Sequence, residues 1–243
     1  MRLVFEKIIF IPLLIIIVIN VSGQIPLSQD VMIAKKFVTQ IEVSVGPSLS
    51  SLRGNPGVDN DSQNSRKPKV GYSFGVGLIH SLSKKIDVTG QLLYERKGGK
   101  SETITTYFDE ETQTFINGRA DSDYSYDYYT LPLVFRYAFD KKNRIKCGLG
   151  PYISYLHKQT LTVNNYFHNR SNSSFSDQTE LNSKFDFGFS GEILYSIPLS
   201  SHIALNLQLN HKTGLKNVRP MISNPYSMKT NNTSFLIGII INR

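Results

Sequence analysis

The sequence predicts an all-β fold: an eight-stranded antiparallel transmembrane β-barrel with short periplasmic turns and four long extracellular loops. Three observations carry that prediction. An apolar leader precedes the rest of the chain, eight segments alternate apolar and polar residues with period two, and the connections between them are long and short by turns. A closed membrane barrel has short turns on one side and long loops on the other, and a soluble sandwich has no physical reason to sort its connections this way.

The leader sets the compartment. Arg2 and Lys7 precede the uncharged run Ile8 to Ile19, and Val21-Ser22-Gly23 offers small residues for cleavage before Gln24. The run is shorter than the roughly 20 apolar residues of a transmembrane helix, so residues 1–23 read as a signal peptide, with an uncleaved anchor as the alternative. Residues 24–36 then form an N-terminal periplasmic segment and 37–243 the barrel domain. Of the 27 basic and 19 acidic residues, removal of Arg2, Lys7 and Glu6 leaves 25 and 18, a formal +7. Those charges are scattered, with no dense Lys/Arg patch interleaved with aromatics, which argues against nucleic acid as a partner. The lone Cys147 excludes an intrachain disulfide framework.

Each strand is read from period two, which sends successive side chains to opposite faces. The first, about 38–49, sets Ile41, Val43 and Val45 against Glu42, Ser44 and Gly46. The second, about 70–82, sets Tyr72, Phe74, Val76 and Leu78 against Gly71, Ser73, Gly75 and Gly77. The third, about 86–97, sets Ile86, Val88, Leu92 and Tyr94 against Asp87, Thr89, Gln91 and Glu95. The fourth, about 126–138, sets Leu131, Leu133, Phe135 and Tyr137 against Thr130, Pro132, Val134 and Arg136. The fifth, about 144–157, sets Ile145, Cys147, Leu149, Ile153 and Tyr155 against Lys146, Gly148, Gly150, Tyr152 and Ser154.

The sixth, about 184–197, has Phe185, Phe187, Phe189, Ile193 and Tyr195 on one face and Asp186, Gly188, Ser190 and Glu192 on the other. The seventh, about 202–212, sets Ile203, Leu205, Leu207 and Leu209 against Ala204, Asn206, Gln208 and Asn210. The eighth, about 233–242, has the weakest alternation because Leu236 and Ile240 make both faces apolar. Short turns fall at Ser83-Lys84-Lys85, Asp140-Lys141-Lys142-Asn143 and Pro198-Leu199-Ser200-Ser201, and long polar loops at about 50–69, 98–125, 158–183 and 213–232.

In a sandwich the apolar columns would point inward and the polar ones would meet water. In a small membrane barrel the assignment inverts, so the Phe and Leu columns face lipid and the polar columns fill the lumen. Eight strands leave an interior just wide enough for side chains, and a buried charge needs a partner. The candidate lumen network is therefore Glu42, Glu95, Arg136, Lys146, Glu192 and Gln208. Tyr94, Tyr137, Tyr155 and Tyr195 sit near strand ends, where an interfacial belt belongs.

Tyr128-Tyr129-Thr130-Leu131-Pro132-Leu133-Val134-Phe135-Arg136-Tyr137 resembles the Tyr-x-x-Leu/Ile-Pro-Leu strand of the PorT-like outer-membrane β-barrel family of Bacteroidetes. Gly148-Leu149-Gly150-Pro151-Tyr152 is similar to that family's Gly-x-Gly-Pro-Tyr segment. Phe185-Asp186-Phe187-Gly188 with Gly191, and Gly214-Leu215-Lys216-Asn217-Val218, match its remaining landmarks in the same order. The resemblance spans residues 37 to 243 and implies a barrel in the cell outer membrane, without catalytic residues. It also implies an aromatic end where this chain has Asn242-Arg243.

Chemistry is sparse against this background. His80, His157, His168, His202 and His211 show no zinc-ligand spacing, and nothing selects a nucleophile with its base, so no enzyme, cofactor or metal is expected. The densest polar and aromatic cluster is Asp121, Asp123, Tyr124, Tyr126, Asp127 and Tyr128, the candidate loop contact. Its carboxylates suit a hard cation but lack the spacing of a calcium loop, so a solvated loop merging into the tyrosine belt is the favoured reading. The expected partners are outer-membrane lipid and an envelope protein or glycan at the loops. The expected function is a noncatalytic envelope-structural or loop-binding barrel; the alternatives are a narrow pore or solute transporter, and a soluble periplasmic β-sandwich.

Overall fold

The computed structural model describes residues 39–54, 64–109, 113–167, 170–218 and 227–242; the expected signal peptide and periplasmic segment, and His168, lie outside these. Among the described residues nine strands follow in chain order: β1 Thr39–Arg53, β2 Asn64–Ser81, β3 Ile86–Asp109, β4 Thr114–Ala138, β5 Ile145–Phe167, β6 Arg170–Asp177, β7 Phe185–Pro198, β8 Ile203–Gly214 and β9 Lys229–Asn242. Hydrogen-bonded neighbours run β4-β3-β2-β1-β9-β8-β7-β5, and β5 pairs with β4 to close the ring. All these ladders are antiparallel. Eight strands thus form the barrel, and β6 lies outside the ring on β5. Closure gives every wall strand a partner on both sides, the condition for a sheet to stand in hydrocarbon.

The faces are inverted relative to a soluble protein. On β7, Phe189 is 53% exposed and Glu192 4%. The same holds around the ring, with Val45, Phe74, Leu92, Phe135, Leu149, Leu209 and Ile237 outside and Ser44, Gln91, Arg136, Ser154, Asn206 and Ser234 inside. The sandwich alternative is excluded, because the apolar columns lie outside the closed ring. On β9, Leu236 and Ile240 point into the lumen, which explains the weak alternation there.

Aromatic rings mark one edge of the apolar band. Tyr94 packs on Phe74 at 5.2 Å and on Tyr129 at 5.5 Å, and Tyr155 meets Phe185 edge-on at 5.5 Å. Toward the short turns, Tyr137 and Phe139 pack at 5.1 Å. From Tyr129 to Tyr137, β4 supplies nine residues, in the range of about 9–11 that a tilted strand needs to cross. The long-loop side of the Tyr94 ring turns abruptly charged, beginning with Arg96 and Asp127.

The short turns are held locally. Ser83 Oγ accepts the N–H groups of Lys85 (3.2 Å) and Ile86 (3.0 Å), and Ser200 Oγ does the same for His202 (3.2 Å) and Ile203 (3.1 Å). In the turn between β4 and β5, Asn143 takes a left-handed φ of 56°, which Asn tolerates better than most residues. Asp140 there accepts the Ile145 N–H at 3.0 Å, and that bond first of all holds its carboxyl below the ordinary value.

The long side departs from expectation. Most of the segments read as loops at 98–125 and 158–183 is strand: β3 and β4 stay paired out to Asp109 and Thr114, and β5 continues to Phe167 and returns as β6. Beyond the apolar band both faces of a strand meet water or polar groups, so period two vanishes while the ladder continues. Cross-strand polar pairs support it instead, among them Thr106 to Asn117 at 3.2 Å and Lys67 to Glu102 at 2.7 Å. A closed ring of this kind resists detergent. The folded chain is expected to migrate on a gel at a different position before boiling than after, and a single position in both lanes would rule the ring out.

Candidate functional site

Strand parity decides what fills the lumen. In the layer toward the short turns, Glu42 on β1 accepts hydrogen bonds from Gln91 on β3 (3.0 Å), from Asn206 on β8 and from Arg136 on β4 (3.3 Å). The Arg136 Nε donates to Glu192 on β7, which also accepts from Gln208 and, at 3.4 Å, from Asn210. One guanidinium therefore ties two carboxylates on different walls, with every one of these groups buried. Amide donors complete both carboxylates, which is what makes a buried charge tolerable.

Glycines make room for this layer. A Cβ on Gly77 would stand 2.6 Å from Gln91 Cγ, and one on Gly148 would stand 2.6 Å from Val134 Cγ1 and 3.0 Å from Glu192. Gly148→Val is accordingly expected to destabilise the barrel by about 1–3 kcal/mol through overpacking. The folded band in a urea series checks this, and wild-type resistance would show that the layer can shift aside.

A second layer lies toward the long-loop side. Glu95 pairs with Lys212 at 2.8 Å and Lys97 at 3.2 Å, and accepts from Asn232 at 3.3 Å. The Lys97 ammonium lies 5.1 Å from the ring centres of both Tyr128 and Tyr152, within cation–π range. Asp186 accepts from the hydroxyls of Thr230 (2.7 Å) and Tyr152 (3.3 Å). Above this, Tyr126, Tyr128 and Leu156 form a buried cluster with Leu52 and Tyr124 against it. The Tyr126 hydroxyl approaches Met228 Sδ at 3.9 Å, and Val218, bonded through its N–H to the Met228 carbonyl at 2.8 Å, is fully buried.

Of the six lumen candidates, Glu42, Arg136, Glu192 and Gln208 come together in one layer, and Glu95 belongs to the next. Lys146 joins neither: it pairs with Asp87 nearer the short turns and is partly exposed. Lys97 and Lys212 were missed. Lys97 shares the parity of Glu95 two residues on, and Lys212 that of Gln208 and Asn210, so extending the alternation by one step finds both.

The candidate loop contact is corrected by the same rule. Residues 121–128 belong to β4, so the cluster splits between two faces. Tyr126 and Tyr128 point inward and are fully buried, and Tyr124 is half-buried beside them. The aspartates point outward, each with a cation. Asp127 takes a forked pair from Arg96 at 2.6 and 2.8 Å, Asp123 takes Lys69, and Asp121 takes Arg119 at 2.7 and 2.8 Å. That fork holds the Asp121 carboxyl below its ordinary value. The charges form a neutralised band that starts just beyond the aromatic ring and runs outward along β4.

Comparison with known proteins places this architecture. Residues 37–219 match the family described as outer membrane protein beta-barrel domain. Among solved structures, Neisserial surface protein A is 11% identical, covering 83% of this chain and 96% of its own, with a TM-score of 0.37. OprG from Pseudomonas aeruginosa is 9% identical, covering 85% and 97%, with a TM-score of 0.41. Ail of Yersinia pestis is 9% identical, covering 83% and 98%, with a TM-score of 0.35. No curated protein matches the sequence.

Proposed function

Because this chain belongs to the outer membrane protein beta-barrel domain family and is an outer-membrane protein, we propose that it is a noncatalytic barrel with a plugged lumen whose long-loop side binds an envelope protein or glycan. The observation that carries this reading is Arg136, which joins Glu42 and Glu192 inside the ring. Side chains that bond to one another across an eight-stranded interior leave no aqueous path of ionic width. The buried carboxylates are occupied as acceptors in that network, which favours a structural role over acid–base chemistry.

The long side offers what a binding surface needs. β3, β4, β5 and β6 carry a sheet beyond the apolar band, with Phe115, Tyr166 and Phe175 exposed on it. Rigid aromatic side chains supply contact area at low entropic cost. The finer kinship follows the resemblance in Tyr128 to Tyr137 and Gly148 to Tyr152 and is PorT-like, in a Bacteroidetes envelope. Residues 1–23 are then the export signal and 24–36 a periplasmic segment.

Planar-bilayer recording tests the reading. The purified barrel is expected to insert without discrete conductance steps at moderate voltage. Steady single-channel openings in the wild-type chain would overturn the plug and make the narrow pore the function.

A further inference from the structure

Among the described residues, β6 differs from every other strand in having one partner. It pairs along its whole length with the outer half of β5, from Thr160↔Asp177 to Phe167↔Arg170, with no shift of register. The next strand, β7, takes the lower half of β5, from Ile145↔Tyr195 to Tyr155↔Phe185, so β6 and β7 lie end to end along it. β8 stops at Gly214, opposite Gly188 of β7, and does not reach the level of β6. Among the described residues, therefore, no strand lies along the second edge of β6, and residues 171–177 are exposed.

An open edge presents alternate N–H and C=O groups without partners, and proteins usually blunt such edges with Lys, Pro, a bulge or a very short strand. Ser171-Asn172-Ser173-Ser174-Phe175-Ser176 contains no Lys and no Pro, and the β5–β6 ladder has no bulge. At about 3.3 Å per residue the eight residues of β6 offer an edge long enough to hold a short strand. Phe175 stands opposite Thr162, which stands opposite Asp123, so it lies on the outward face and is 67% exposed. Ser174 and Ser176, opposite Val163 and Leu161, lie on the inward face.

The geometry points to β6 as a docking edge that takes an extended segment of a partner polypeptide, added antiparallel as the next strand of the β3–β4–β5–β6 sheet. The main chain supplies the affinity in this mode and alternate side chains the specificity. The segment alternates apolar and small residues, as Leu161, Thr162 and Val163 do on β5, so that one column meets Phe175 on the outward face and the other meets Ser174 and Ser176 on the inward face. A second copy in the same membrane is the poorer occupant, because both copies present β6 in one direction, while a free segment adopts the antiparallel sense of every ladder in this barrel. This inference rests on the reading of the long-loop side as a binding surface, and makes that partner a polypeptide rather than a glycan.

The test uses the full barrel in lipid nanodiscs and a fluorescent peptide copying residues 160–167, the segment β6 already pairs with, against a scrambled peptide. Neighbouring N–H groups in a strand point to opposite edges, so of Ser173→Pro and Ser174→Pro one alters the β5 ladder and the other the open edge. Saturable binding is expected for the copied peptide only, at least tenfold weaker in the variant that blocks the open edge and weaker in Phe175→Ser, which leaves the backbone intact. Hydrogen exchange is expected to slow at alternate amides of β6 when the peptide binds. Unchanged β6 exchange at saturating peptide, or equal affinity in wild type, both proline variants and Phe175→Ser, overturns the inference. A barrel that stays silent in bilayers while β6 stays unprotected loses only this inference; one that conducts loses the proposed function itself.

Discussion

Replacing Arg136 by Ala is expected to lower the stability of the folded barrel by about 3–5 kcal/mol, the cost of leaving buried charges without their partner. The guanidinium is the only cation ion-paired with Glu42 and Glu192 among the described residues, and both carboxylates lie inside the ring. The chain has no Trp, so the folded fraction is best followed by the heat-modifiable gel band across a urea series. Two companion variants separate charge from packing. Arg136→Met keeps much of the volume and should be nearly as damaging as Ala, whereas Arg136→Met with Glu42→Gln and Glu192→Gln should recover a large part of the loss, because no buried charge then stands alone. An Arg136→Ala barrel as stable as wild type would show that water or a shifted Lys reaches those carboxylates and that the lumen is not packed.

The second large effect tests the outward face. Phe189 lies on β7 between Phe185 and Tyr195, near the middle of the apolar band, with its ring outside. Phe189→Arg is expected to cost about 2–4 kcal/mol, the range for a cation at the bilayer midplane on the lipid side of a barrel. The same Arg at Ser173, on β6 level with Asp121 and outside the apolar band, should change stability by no more than about 0.5 kcal/mol. Refolding into phospholipid vesicles with a urea titration measures both, and equal small effects at the two positions would contradict the placement of the bilayer around Phe189.

How much was legible in the sequence follows the range of the interactions involved. In β7 the Phe185, Phe187 and Phe189 column alternates with Asp186, Gly188 and Ser190, and both the strand and its faces follow from that pattern. The turns at Ser83, Asp140 and Ser200 were equally legible, since each is held by a side chain bonding to backbone a few residues away. The outer halves of β3, β4 and β5 were not. They lie beyond the lipid, where no apolar column is required, and polar strand and polar loop then share a composition. The tyrosines at 126 and 128 fall inside the fourth strand as read, yet were grouped with the aspartates as a loop contact; one step of parity from Asp127 puts them inside.

By itself the sequence determined the strands that cross the membrane, their number and the face each presents, because period two and turn chemistry act over a few neighbouring residues. Only the tertiary structure decided which inward side chains meet. Arg136 reaches Glu42 across 94 positions of chain and Lys212 reaches Glu95 across 117, and those pairings exist because ring closure and register bring distant strands to one level. It also decided that β6 stands outside the ring with one edge unpaired among the described residues, since that depends on how far β8 rises beside β7, a length no local pattern records.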